Sequence, residues 1–209
     1  MQGIFATDIY VDHRKENIMQ NYLSEIQAAL DAGLYTLAIT GALSLPDICA
    51  SLESAAPNDR SNVGKKYKNW YRKYAEKNCS LTPEACYNYR CSMVHQHGSK
   101  NKFKFVMPND PQHPITFNKV AFFLPSPYGP KFINCGVKLA VTDPITGKTN
   151  SDEALLIEID SFVNGMIKSV NDWLNIIKGD KNYEKNKNDL IQPRPASTIK
   201  ILKGDIVIY

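Results

Sequence analysis

The chain has 209 residues, 43% hydrophobic and 22% charged, a balance that supports a packed core and excludes intrinsic disorder and collagen-like repetition. Its 25 basic and 21 acidic side chains leave a net charge of +4, which permits an RNA or DNA partner without demonstrating one. The apolar runs fall well short of the roughly 20 residues that cross a bilayer and the mean hydropathy is −0.34, so no membrane span is expected.

The opening stretch from Met1 to Asp8 has neither a basic start nor a sustained apolar run, so it does not read as a secretory signal, and a cytoplasmic location is expected. Ile18, Tyr22, Ile26, Ala29 and Leu30 recur at spacings of three and four and predict a helix over Arg14 to Asp31, ended by Gly33. A second helical segment begins near Leu34 and is apolar on most faces, which predicts burial on several sides. Ser44-Leu45-Pro46-Asp47 then reads as a fresh helix start with a bend at Ser44, running to about Ser54. Turn formers fill Ala55 to Gly64 and predict a surface loop.

Lys65 to Lys77 places Tyr67, Trp70, Tyr71 and Tyr74 on one helical face, with six basic residues around them. Aromatic rings can stack on bases while Lys65, Lys66, Lys68, Arg72 and Lys73 track phosphates, but a stripe at this spacing is more simply the core face. Those five cations are the candidate RNA-binding residues, guiding RNA by a charge attraction that salt would weaken. Thr82-Pro83-Glu84 supplies a cap, a first-turn proline and a first-turn acid, so a helix should begin there and stop by Gly98.

Beyond Lys100 the texture changes, with six prolines from Pro108 to Pro130 and apolar runs at Phe103 to Met107 and Val120 to Leu124 that predict short strands or extended loop. Val137 to Thr142 and Ala154 to Ile159 flank the turn-like Asp143-Pro144-Ile145-Thr146-Gly147, consistent with a hairpin. Phe162, Met166, Val170, Trp173 and Ile177 mark an amphipathic helix from Ser161 to Lys178, ended by Gly179. Gly179 to Pro195 is Lys- and Asn-rich and reads as a flexible excursion, after which Thr198 to Leu202 and Ile206 to Ile208 are apolar enough for strand.

The segment from Asn88 to Gly98 carries Arg90 and His95 five apart, with His97 two further on. Both residue types suit phosphodiester cleavage, because arginine keeps its charge through a pentacovalent transition state and histidine moves protons near neutrality. On a continuous helix His95 lies about 140° round from Arg90, whereas His97 lies within about 20°. Asp47 is either a first-turn charge or a partner that orients Arg90 or His95 across the bundle. His13 and His113 stand alone and read as structural or exposed. The five cysteines, Cys49, Cys79, Cys86, Cys91 and Cys135, form no Cys-x-x-Cys pair, so neither a disulfide framework nor a zinc site is expected. Walker-type and Gly-x-Ser-x-Gly motifs are absent, and no cofactor or metal is expected.

Three segments carry a resemblance: Ala38 to Cys49 with its Leu45-Pro46-Asp47-Ile48-Cys49 string, Tyr67-x-x-Trp70-x-x-x-Tyr74, and Tyr89 to Ser99 with Arg-x4-His. Together they resemble small bacterial proteins of the HEPN superfamily. The resemblance covers roughly residues 15 to 100 and is compatible with the helix at 161 to 178. It implies a single mainly α domain over 1 to 209, with a HEPN-like helical core at about 14 to 100 and 161 to 178. The irregular or β insertion at about 101 to 160 and the tail at 179 to 209 are read from the residues themselves and are not explained by the resemblance. The resemblance also implies a homodimer whose two Arg90/His95 pairs face one groove, a metal-independent endoribonuclease activity, and service as a toxin or antiphage effector with a cognate antitoxin or partner protein. Cys91 departs from the polar residue that usually follows the motif arginine, and the alternative is an inert HEPN-like nucleotide- or RNA-binding or assembly module. A third class is a structural helical protein in which Arg90 is buried in an internal salt bridge against a carboxylate such as Asp47, whereas the nuclease needs Arg90 and His95 exposed in a shared groove.

Overall fold

The computed structural model describes residues 18–79, 81–96, 100–107, 110–124, 135–142, 145–147, 149–190, 193–195 and 206–208. Residues 14–17 of the first expected helix, His97 and the expected strand at Thr198 to Leu202 lie outside these. The described architecture is mainly helical, with a β elaboration in the middle and C-terminal segments. The helices are α1 (Ile18–Asp31), α2 (Tyr35–Glu53), α3 (Val63–Tyr74), α4 (Pro83–Gln96), α5 (Ile159–Ile177) and the short α6 (Lys181–Asn186) with a 3-10 turn at Lys187–Asp189.

Alpha-2 is the axis of the bundle: α1, α3, α4, α5 and α6 all pack against it. That covering explains its composition, since α2 is the one described helix long and apolar enough to cross a membrane by those criteria alone. Leu43, Leu45 and Cys49 are fully buried along it. The helix runs unbroken through Pro46, so the fresh start expected at Ser44 does not occur. Proline removes one backbone bond, and the polar groups of the turn before it are held another way. Ser44 Oγ donates to the Gly41 carbonyl at 2.7 Å and so takes the Tyr22 hydroxyl, 2.8 Å away, as its donor. Packing against five other helices then outweighs the local preference for a break.

The aromatic stripe of α3 is core: Tyr67, Trp70, Tyr71 and Tyr74 are all buried. Three of these rings need their hydroxyls satisfied. Tyr67 donates to the Leu43 carbonyl at 3.0 Å, Tyr71 to the Leu81 carbonyl at 2.9 Å, and Tyr74 to Glu53 Oε1 at 3.0 Å. Glu53 Oε1 also accepts from Trp173 Nε1 of α5 at 2.5 Å, tying three helices to one carboxylate. Trp173 meets Trp70 and Tyr183 edge-on, at 6.0 and 5.6 Å between ring centres.

The segment expected to be a flexible excursion is instead a docked cap. A helix leaves its last carbonyls without internal partners. Here Asn186 Nδ2 donates to the Leu52 and Ser54 carbonyls at 3.1 and 2.9 Å, and Asn182 Nδ2 to the Glu53 carbonyl at 3.1 Å. Tyr183 and Asn186 are buried against α2, and Asp180 begins α6 by accepting the Asn182 and Tyr183 N–H groups. Asparagine at these positions therefore serves as an amide donor delivered from a distant helix. Asn186→Ala should cost about 1–3 kcal/mol of stability by leaving buried carbonyls unpaired, and Asn182→Ala less, as read from urea melts. Equal stability of Asn186→Ala and wild type would show that water replaces the cap.

Four strands, β1 (Lys100–Met107), β2 (Asp110–Phe123), β3 (Cys135–Thr142) and β4 (Thr149–Glu158), form a mixed sheet in the order β1-β2-β4-β3. The expected hairpin is β3–β4, antiparallel from Cys135 opposite Leu156 to Thr142 opposite Thr149. Beta-2 is parallel to β4 only over Lys119 to Phe123, so Pro111 and Pro114 lie where β2 is paired on one edge alone, the setting that tolerates a missing N–H. Beta-4 leads directly into α5, whose Phe162 packs on Phe122 at 5.3 Å between ring centres and joins sheet to bundle. Beta-5 (Pro193–Pro195) and β6 (Ile206–Ile208) make a separate two-stranded pair.

Candidate functional site

Alpha-4 begins as its sequence dictates: Thr82 Oγ1 accepts the Ala85 N–H at 3.2 Å and Pro83 occupies the first helical position. Ala85, Cys86, Tyr89 and Ser92 bury one face, which leaves Arg90, one turn beyond Cys86, on the border of the core. The Tyr67 hydroxyl marks the level of the preceding turn, donating to the Leu43 carbonyl of α2 and lying 3.2 Å from Cys86 Sγ of α4. One turn further along both helices, Asp47 and Arg90 meet.

Arg90 Nη2 lies 2.7 Å from Asp47 Oδ2, with the two side chains 21% and 19% exposed. At this separation charge attraction between the carboxylate and the guanidinium acts at short range. Burial pushes the Asp47 carboxyl above its usual value of 3.8, and Arg90 pulls it part of the way back. This is the contact expected both if Asp47 positions Arg90 and if Arg90 forms a structural internal salt bridge, and about a fifth of each side chain stays in solvent. A shallow cleft of about 320 Å³ adjoins it, lined by Asp47 and Ser51 of α2 together with Asn186 and Asp189 from the C-terminal cap.

Position 95 belongs to the last helical turn of α4, which stays helical through Gln96, and so it keeps its offset of about 140° from position 90. His97 lies outside the described residues, so Arg90 and Asp47 are the members of the expected constellation that the structure brings together.

The candidate RNA-binding cations divide into two groups. Lys66 pairs with Asp59 at 3.1 Å, Arg72 with Glu84 at 3.0 Å, and Lys73 Nζ sits 4.5 Å from the centre of the Tyr74 ring. Lys65 is exposed and Lys68 half-buried, and neither forms an ion pair among the described residues. Hydrogen bonds from the Ser61 hydroxyl and backbone N–H, and then Lys66, hold Asp59 at about 2, well below the ordinary carboxylate value.

Cys49, Cys79 and Cys86 are poor nucleophile candidates. Burial raises Cys86 to about 12 and pushes Cys49 and Cys79 well above the ordinary thiol value. Among the described residues no three His, Cys, Asp or Glu side chains gather into a metal-binding group. Sequence reasoning passed over Tyr87, which stands three residues before Arg90 on α4 and is half-buried beside it. Its signal was that spacing, hidden among the eleven tyrosines of the chain.

Comparison of the chain with protein-family models, with curated proteins and with solved structures finds no match.

Proposed function

We propose that the chain is a metal-independent endoribonuclease of the HEPN type, acting as a homodimer in the cytoplasm in the manner of a toxin or antiphage effector. The observation that carries this reading is the exposure Arg90 keeps, 21% of its side chain, because its contact with Asp47 at 2.7 Å is equally the internal salt bridge of the structural reading. A permanently charged planar donor, fixed at a helix edge and partly open to solvent, is suited to phosphate.

In the reaction, the ribose 2′-oxygen attacks the adjacent phosphorus and gives up its proton, and the bond to the 5′-oxygen breaks as that oxygen takes a proton. The products are a 2′,3′-cyclic phosphate and a 5′-hydroxyl. Arg90 stabilises the charge on the equatorial oxygens, and His95 or His97 moves the protons. DNA lacks the attacking hydroxyl and is not a substrate.

The test is cleavage of end-labelled single-stranded RNA and matched DNA in EDTA by wild type, His95→Ala and His97→Ala, with the oligomeric state measured alongside. RNA-only cleavage lost in one histidine variant is expected and names the proton-transfer residue. No cleavage of diverse RNAs by a folded dimer would favour the second reading, an inert HEPN-like binding or assembly module. Cys91, in place of the polar residue that usually follows the motif arginine, is the observation on that side.

A further inference from the structure

We propose that Tyr87 is a base-stacking platform on a track for single-stranded RNA along the seam between α3 and α4, with the flanking phosphate meeting Arg90. The proposal rests on the reading of Arg90 as a phosphate-binding residue.

Two contacts between α3 and α4 define the seam and a third extends it. Arg72 pairs with Glu84 at 3.0 Å, Gly64 lies against Tyr87, and Arg90 meets Asp47 of α2 at 2.7 Å. The α3 numbers fall as the α4 numbers rise, so the two helices are antiparallel. Lys68, one turn beyond Gly64, falls between Arg72 and Tyr87. The seam thus reads Arg72 with its partner Glu84, then Lys68, Tyr87, and Arg90 with its partner Asp47, so one aromatic ring is flanked by cations of which Lys68 forms no ion pair among the described residues.

The ring is held from beneath. A Cβ added at Gly64 would come within 2.8 Å of Tyr87 Cζ and 2.9 Å of Cε1, so the ring rests where only a glycine leaves room. Tyr67 supports it from the core, 5.2 Å away between ring centres with the planes tilted by 59°. Tyr87 is nevertheless half-buried rather than enclosed, unlike Tyr67 and Tyr71 on the facing helix. A ring fixed before binding loses little freedom when a base stacks on it.

The chemistry selects the ligand. Proteins that bind single strands combine a cationic path for the backbone with aromatic rings for the bases, and a duplex keeps its base faces occupied. Residues three apart on a helix have Cβ atoms about 5–6 Å apart, close enough for one nucleotide to reach both Tyr87 and Arg90.

The experiment uses the full chain in EDTA with a short single-stranded RNA whose 2′-oxygens are methylated, so that it binds without being cut. The strand carries 2-aminopurine, whose fluorescence changes on stacking, and an end label for anisotropy. Wild type and Tyr87→Phe should bind with the stacking signal. Tyr87→Leu, which keeps an apolar side chain against Gly64, should lose the signal and weaken binding about tenfold with little change in melting temperature. Gly64→Ala, which displaces the ring while leaving Tyr87 in place, should act in the same direction, and a duplex should bind at least as weakly as Tyr87→Leu binds the single strand.

Unchanged affinity and signal in Tyr87→Leu would overturn the platform, as would absence of any binding. Cleavage of unmodified RNA is scored separately. Wild-type cleavage with Tyr87-independent binding removes the platform and leaves the nuclease reading. Tyr87-dependent binding without cleavage does the reverse.

Discussion

Arg90→Ala should slow RNA cleavage by about 10²–10³-fold, the range for deleting one donor that stabilises transition-state charge. The same variant should also lose stability, by roughly 1–3 kcal/mol at neutral pH, because it strands the Asp47 carboxylate with only 19% of its side chain in solvent. The two losses separate with pH. Burial already raises Asp47 above 3.8 with Arg90 opposing it, and without Arg90 the opposition is gone. The folded variant then binds a proton that the unfolded chain releases, so its stability falls as pH rises through that window and returns on acidification. Thermal melts at about pH 4.5 and 7 should show a smaller deficit at the acid end. An equal deficit at both would mean that the stranded carboxylate is not the cause. Asp47→Asn is the companion variant: a positioning role predicts slower cleavage with nearly unchanged melting temperature. Equal loss of folding would leave Asp47 a structural partner of Arg90.

Gly165→Ala should destabilise the protein by about 3 kcal/mol or more, measured by urea denaturation, because among the described glycines its added methyl meets the nearest backbone obstacle. Within a helix the change from glycine to alanine is ordinarily favourable by about 1 kcal/mol. Here the added Cβ would drive into the Asn78 carbonyl oxygen, with its carbon 3.2 Å and Cys79 Sγ 3.3 Å away. That obstacle is backbone, in the turn that joins α3 to α4, and it cannot rotate aside. Gly41→Ala makes the contrast: its Cβ would meet Ile26 Cγ1 at 2.8 Å, the movable end of a side chain, so its effect should be much smaller. Similar losses for both variants would show that the α3–α4 turn yields more readily than its backbone contact implies.

Much of the helical frame is legible in sequence because its signals are local. Thr82-Pro83 caps α4 as read, Gly33 and Gly179 take the left-handed φ values of 73° and 84° that end helices, and the spacing from Phe162 to Ile177 marks α5. Pro46 misleads because its local signal opposes continuation, while the burial that overrides it comes from five other helices. Asn182 and Asn186 mislead for the opposite reason. Their polarity suggests solvent, and their acceptors are carbonyls about 130 residues earlier in the chain. The candidate site is legible in part: Asp47 and Arg90 are identifiable as residue types suited to one another, but their meeting depends on α2 and α4 lying in register, which no local pattern encodes. Tyr87 differs from the core tyrosines only through Gly64, a relation that exists once two helices have packed.

The cap on α2 also bears on how the molecule assembles as it leaves the ribosome. Synthesis proceeds from the N-terminal end, so α2 emerges with its apolar sides and its terminal carbonyls at Leu52, Glu53 and Ser54 long before their partners exist. Trp173 and the two asparagines arrive only after more than a hundred further residues have been added. The nascent chain therefore carries an incomplete, sticky helical hairpin through most of its translation, and closure is a late event set by α5 and α6. Slowing elongation between α4 and α5 would prolong that interval and raise the demand for chaperones that shield apolar surface.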